Sequence, residues 1–178
     1  MFGMRPSTRS AEVEAVDRFM SGEKYLYGQM PEFGPSNFNR KGKFEHQAIW
    51  PIADDLGVVT SGHLRVVTRP GFERTTIGVI YNNQCVSRVD FVPPTECESN
   101  PSWAEALQLE SRVCGPHIHD WDINRAHVLT NELWELPCRS ALPPQIRRFS
   151  QAFPWLAARV NLVLSHDQRA FDLPGSLV

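Results

Sequence analysis

The stretch from Cys114 to Arg125 reads Cys-Gly-Pro-His-Ile-His-Asp-Trp-Asp-Ile-Asn-Arg, and no other window of the chain is as dense in side chains able to do chemistry. It holds His117 and His119, two of the six histidines, together with Asp120, Trp121, Asp122 and Arg125. Side chains two apart on a strand point the same way, so His117 and His119 would leave one face of an extended segment. Arg88 and Asp90, in the run Arg-Val-Asp, have the same spacing. Two strands carrying these pairs, laid side by side, would bring two imidazoles, a carboxylate and a guanidinium together. Gly115-Pro116 would turn the chain into such a site, and Trp121 would wall it.

Three chemistries suit these residue types. The first is acid–base cleavage of a phosphodiester. Histidines titrating near pH 6.5 can divide the work, one taking a proton from a ribose 2′-hydroxyl and the other giving one to the leaving oxygen. Arg88 or Arg125 would grip the phosphate bidentately, and Asp90 or Asp120 would orient an imidazole. No cofactor is needed. The second is a divalent metal on His117 and His119, with a third ligand from Asp90, Asp122 or His127. The spacing of His119 and His127 does not match the helical His-Glu-x-x-His pattern, which excludes that class of zinc protease. The third is binding without catalysis, with Trp121, Trp134 and loop aromatics as a partner surface. Against all three stands a structural reading, in which His117 bonds a carboxylate and Asp120 or Asp122 caps a turn. His46 and His63 fall on expected strands, His166-Asp167 suits a cap, and Cys114 suits a small buried thiol. Neither Gly-rich phosphate-binding loop, G-x-x-x-x-G-K-S/T or G-x-G-x-x-G, is present.

The elements that must position these groups follow from periodicity. Val13, Val16, Phe19 and Met20 give a helix over 11–20, capped by Ser10. Residues 22–42 read as an irregular loop with a small basic cluster, Arg40, Lys41 and Lys43, at its end. A strand starts near 43 and should stop at Pro51, and a second covers 62–69. Pro70-Gly71 marks a turn into a third strand over 72–81. Asn82-Asn83 is a hairpin turn, because Asn tolerates positive φ, and the fourth strand returns over 84–92. Ser102 and Glu105 have capping-box spacing for a short helix over 102–110. Residues 116–121 give a fifth strand, 128–136 and 144–152 short helices, and 155–165 a segment that favours helix. The expected fold is α+β: one domain over 1–178, an antiparallel four- or five-stranded sheet with flanking N- and C-terminal helices, frayed over 166–178, and loose ends at 1–8 and 170–178.

Composition narrows the function classes. The chain has 178 residues, 42% hydrophobic and 21% charged, with a net charge of −2, so a broad nucleic-acid-binding surface is not expected. No membrane span and no signal peptide are read in the sequence, and the four dispersed cysteines contain no Cys-x-x-Cys pair. Free thiols in a reducing cytoplasm are the expectation.

Arg88-x-Asp90, a polar loop ending Ser99-Asn100-Pro101, and Gly115-Pro116-His117-Ile118-His119 together resemble a group of small prokaryotic proteins associated with mobile elements and toxin–antitoxin operons. Some of that group are similar to TumE-type toxins. The likeness spans about residues 60–122 and departs in the loop, where Glu98 stands near the place of a histidine before Asn-Pro. Carried over residue by residue, it supports Arg88, Asp90, His117 and His119. The functional expectation is a small toxin-like phosphodiesterase or ribonuclease, with those four residues catalytic, Arg125 and Trp121 binding substrate, and RNA as partner. The alternative is a non-enzymatic mobile-element protein that binds and inhibits a host or CRISPR-type defence complex.

Overall fold

The computed structural model describes residues 8–35, 45–69 and 74–173. The basic cluster Arg40, Lys41 and Lys43, the Pro70-Gly71 turn, and the loose ends over 1–7 and 174–178 lie outside the described residues.

The chain opens with α1 (Thr8–Ser21), β1 (Lys24–Leu26) and β2 (Gly34–Pro35). A long meander follows: β3 (His46–Asp54), β4 (Val59–Thr68), β5 (Thr75–Tyr81) and β6 (Gln84–Phe91). Beyond it come β7 (Cys97–Ser99), a 3-10 turn (Ser102–Leu107), β8 (Arg112–Cys114), β9 (His117–His119) and α2 (Trp121–Thr130). The chain closes with β10 (Ser140–Ala141), α3 (Phe149–Arg159), β11 (Leu162–Val163) and α4 (His166–Arg169). Among the described residues one sheet holds nine strands in the order β10-β9-β6-β5-β4-β3-β1-β11, with β2 also on β3. The sheet is larger than the four or five strands read from periodicity. The additional strands are two or three residues long, too short to show an alternating pattern. It is also mixed, because β1 and β11 pair in parallel while the other pairs are antiparallel.

One cross-strand row explains the core. Ala48, Val66, Ile77, Val89 and Ile118 stand opposite one another across β3, β4, β5, β6 and β9. All five are buried in one cluster with Val13, Val16 and Phe19 of α1, Trp121 and Val128 of α2, and Phe149, Phe153 and Leu156 of α3. The helices therefore cover one face of the sheet. Lys24, buried on β1, donates to the carbonyls of Met20, Gly22 and Val160 and so ties the ends of α1 and α3.

Several expected boundaries move, each for a physical reason. Strand β3 continues through Pro51 to Asp54, and its pairing slips between Pro51 and Ala53. A bulge is where a strand accepts a residue without an N–H. The expected helix over 128–136 lies too late: α2 begins directly after β9, with Trp121, Asn124 and Val128 buried at helical spacing. The helix expected over 144–152 and the segment 155–165 are replaced by α3, which contains Pro154. Phe149, Ala152, Phe153, Leu156 and Ala157 form an unbroken buried stripe that outweighs the missing N–H. The 3-10 turn follows Pro101 without a side-chain cap, so Ser102 and Glu105 form no capping box there. At the far end 166–171 is not frayed, since Ser165 caps α4 and Phe171 is buried against Trp50, Phe33, Phe149 and Phe153. Thr8 likewise begins α1. No helix among the described residues is long and apolar enough to cross a membrane.

Cys97 and Cys114 are joined by a disulfide across the β7–β8 pair, which corrects the expectation of free thiols and of Cys114 as a buried thiol. Cys85 and Cys138 are free.

Two buried asparagines fasten the strand that borders β9. Asn124 Nδ2 donates to the carbonyls of Asp120 and Cys138, and its Oδ1 accepts from Cys138 N. Asn100 does the same for Arg139, with Glu110 as its second acceptor. Replacing Asn124 by Ala strands three buried main-chain groups. Urea denaturation should show a loss of about 3 kcal/mol, on the scale of an unsatisfied buried group; a loss near zero would mean that residues 138–139 are held by other contacts.

Candidate functional site

The face of the sheet opposite the helices carries the chemistry. Strand β9 pairs with β6 in the register Arg88 opposite His119 and Asp90 opposite His117. The rows on that face run Gln47–Val67–Thr76–Asp90–His117 and Ile49–Arg65–Gly78–Arg88–His119. A β-bulge sets this facing. The turn at Asn82 and Asn83, with φ of 49° and 63°, pairs Ile80 with Cys85, but the next pair is Val79 with Ser87. Val86 is thus an extra residue, and Val86 and Val89, three apart, both reach the core. Gly115 leads the chain from β8 into β9 with φ of 75°, and a Cβ there would lie 3.3 Å from Pro94 Cα.

His117 Nδ1 lies 2.8 Å from Gly115 O and His119 Nδ1 lies 2.6 Å from Leu136 O. A carbonyl only accepts, so each Nδ1 carries a proton, and in the neutral ring each Nε2 presents a lone pair. Those lone pairs turn toward Asp90 Oδ2, at 3.7 Å from His117 and 3.4 Å from His119. Arg88 closes part of the gap: its Nε donates to Asp90 Oδ2 at 2.6 Å and its Nη2 to His119 Nε2 at 2.9 Å. Asp90 Oδ1 accepts from the Thr76 hydroxyl at 2.7 Å. His117 Nε2 has no hydrogen-bond partner although the residue is only 1% exposed. His119 is 2% exposed. Burial first, and the nearby Arg88 charge second, lower the pKa of His119 to about 4, against the opposing pull of Asp90.

Asp90, His117 and His119 offer three ligand atoms within 4.8 Å of one another. Two nitrogens and a carboxylate oxygen on one centre make a donor set suited to zinc or to iron-type divalent ions.

The other sequence candidates stand elsewhere. Trp121, expected to wall the site and bind substrate, is 2% exposed, donates to Asp17 and stacks on Trp134. Arg125, expected to hold phosphate, grips both Asp17 oxygens. Both are drawn into the α1–α2 contact. Asp120 orients no imidazole, because it is buried against Arg159. His127 stacks on Trp103, Asp122 is exposed in the first turn of α2, and neither joins the cluster. Glu98 pairs with Arg139.

Sequence reasoning missed Thr76, Arg139 and the two carbonyls that fix the imidazoles. Thr76 was legible only through the bulge, since an unbroken hairpin register places Thr75 opposite Asp90. Arg139 stands two residues before Ala141, which faces His117, and so shares the polar face. Its pKa is lowered by burial and then by the Arg88 charge, against the pull of Asp90. A cleft of about 230 Å³ opens beside Asp90 and Arg88, lined also by Arg69, Arg74, Thr76, Glu45 and Glu98.

Fold and site together define an α+β chain with a buried two-histidine, one-carboxylate cluster on the polar face of a mixed sheet. No protein-family model, curated protein or solved structure matches the chain, so the resemblance to TumE-type toxins gains no support from relatives.

The His119 shift has a measurable sign. Its folded value lies near 4, below the ordinary 6.5, so between those pH values the unfolded chain binds a proton that the folded chain does not. Stability should therefore fall as pH drops from about 6.5 to 4, and His119→Gln should flatten that part of the curve. Thermal melts across this range, with a chelator present, check it; equal slopes for both proteins would show that His119 is not held neutral.

Proposed function

We propose that Asp90, His117 and His119 hold a divalent cation, and that the chain is a metal-dependent hydrolase acting on a phosphate ester. The observation that carries this is the convergence of three electron-pair donors whose outer sides are already fixed. Metal-binding histidines are oriented in this way, giving the other ring N–H to a carbonyl or carboxylate. The separations of 3.4 Å and 3.7 Å are long for hydrogen bonds. They approach the spacing of about 3.3–3.5 Å expected between ligands that each lie 2.0–2.2 Å from one tetrahedral ion. The unpartnered Nε2 of His117 would be satisfied by the same ion.

Three protein ligands would leave positions for water and substrate, and a zinc ion held there would lower the pKa of a bound water to about 7. In the hydrolysis, the oxygen of water bonds to phosphorus as the ester P–O bond breaks, and the proton that water loses ends on the leaving oxygen. Arg69, Arg74 and Arg88 line the adjoining cleft, where guanidiniums suit phosphate oxygens.

Acid–base catalysis by the histidine pair alone has less support. At neutral pH His119 Nε2 carries no proton to give, and the ring's one proton, on Nδ1, is committed to Leu136 O. A ribonuclease is the narrower form of the proposal, with RNA as the ester. For the defence-inhibitor reading, Trp121 and Trp134 add little aromatic surface, because they stack on each other against α1, whereas Tyr25 and Tyr27 are exposed.

Titration calorimetry with Zn²⁺ or Mn²⁺ should give one site per chain, lost in Asp90→Ala, His117→Ala and His119→Ala at retained helical content. Hydrolysis of a chromogenic phosphodiester and of single-stranded RNA should need the metal and fall by about 100-fold or more in the same variants, the scale of losing a metal-centred term. Metal binding unchanged by all three substitutions would sink the proposal.

A further inference from the structure

We infer that Arg88 competes with the cation: its bridge between Asp90 and His119 is incompatible with metal on His119, so metal binding displaces it, and it then takes an oxyanion of the substrate in the adjoining cleft. This rests on the metal reading above and extends it to the order of binding and the class of ligand.

The first argument is one of lone pairs. An imidazole Nε2 has a single electron pair in the ring plane. In His119 that pair accepts the Arg88 Nη2 hydrogen at 2.9 Å. It cannot at the same time be given to a metal. The Arg88 Nε–H meets Asp90 Oδ2, the one oxygen that faces both histidines. A cation joining the three ligands must therefore break the Arg88–His119 contact, and its charge on Asp90 Oδ2 opposes the guanidinium held there.

The second argument is where the guanidinium can go. The Arg88 side chain is 39% exposed and lines the cleft. Its cross-strand neighbour on β5 is Gly78, which has no side chain to confine it. Nearby arginines have carboxylates of their own: Arg69 with Glu45 at 3.0 Å, Arg74 with Glu96 at 2.6 Å, and Arg139 with Glu98. A metal on Asp90 Oδ2 competes with Arg88 for its carboxylate and leaves those three pairs intact. Arg88 then shares its carboxylate with a divalent ion and has lost its His119 contact. Its planar fork then fits two oxygens of a tetrahedral oxyanion such as a phosphate ester. Metal and oxyanion should bind cooperatively, and by linkage each should tighten the other by the same factor.

Zn²⁺ affinity, read by competition with a fluorescent chelator, tests this for wild type, Arg88→Ala and Arg88→Lys. Removing the competing guanidinium should tighten metal binding about tenfold, the equivalent of one charged hydrogen-bonded contact. Dimethyl phosphate and inorganic phosphate serve as the two oxyanions. In wild type, Zn²⁺ should bind about fivefold or more tightly in their presence, and in Arg88→Ala this gain should vanish. A response to dimethyl phosphate identifies a diester as the ligand, and one to inorganic phosphate alone identifies the free ion. Arg88→Lys, which keeps the charge but cannot bridge two atoms in a plane, should lie between the others and covers the case in which the alanine variant does not fold. Should both Arg88 variants bind Zn²⁺ as wild type does, with the same phosphate response, the inference is wrong while loss of binding in His117→Ala would keep the metal site standing. Equal Zn²⁺ binding by wild type and His117→Ala would remove both.

Discussion

Lone pairs that point at one another repel, and the polar face of this sheet is built around three that do. The Nε2 atoms of His117 and His119 and the Oδ2 of Asp90 meet in a space from which water is largely shut out. Such an arrangement persists only with positive charge among the three atoms or with neighbours rigid enough to hold them there. Both are present. Arg88 supplies the charge, while the Thr76 hydroxyl and the carbonyls of Gly115 and Leu136 fix the far sides of the three groups. The low pKa of His119 comes from the same situation, since a buried ring beside a guanidinium is cheaper to keep neutral.

The remainder of the fold holds that contact in place from behind. Ile118 and Val89 fill the helix-covered face directly beneath the site residues, so the apolar layer and the polar cluster share one register. Neither strand can slide without losing both. Strand β9 is only three residues long, too short to be secure by its own ladder, and it is bordered on one side by β6 and on the other by β10. Asn100 and Asn124 pin the residues just before β10, which turns a two-residue strand into a firm edge. The disulfide between Cys97 and Cys114 does the same for the chain that enters β9.

Much of the site was legible because its signals are local. The i, i+2 spacing in Arg88-x-Asp90 and His117-x-His119 and the Asn82-Asn83 turn are properties of neighbouring residues, and α1 and the meander could be read in the same way. What escaped was set at long range. The stripe from Phe149 to Ala157 makes sense only against a core that buries it, so Pro154 misled. Trp121 and Arg125 looked like parts of a cleft because they sit close to His119 in sequence, but the start of a helix at Trp121 turns them toward Asp17. Thr76 reaches the cluster through strand pairing alone, and no spacing within the chain reveals that. The cysteine pair was hidden for a related reason: residues far apart in sequence become neighbours only once β7 and β8 pair.

The extra residue at Val86 makes the site a matter of parity. In an uninterrupted hairpin from the same turn, Ile77 would stand opposite Arg88 and Thr75 opposite Asp90, which would turn both charged side chains toward the layer that α1 and α3 cover. The bulge reverses them. The odd or even length of the segment between Asn83 and Arg88 therefore decides which side of the sheet is oil and which is ionic. A lineage that gained or lost one residue there would exchange the two, exposing Val89 and driving Arg88 and Asp90 inward, whereas a change of two would leave the cluster facing as it does. An odd change of length between Asn83 and Arg88 thus reverses the facing of the site unless the turn absorbs it, and an even one does not.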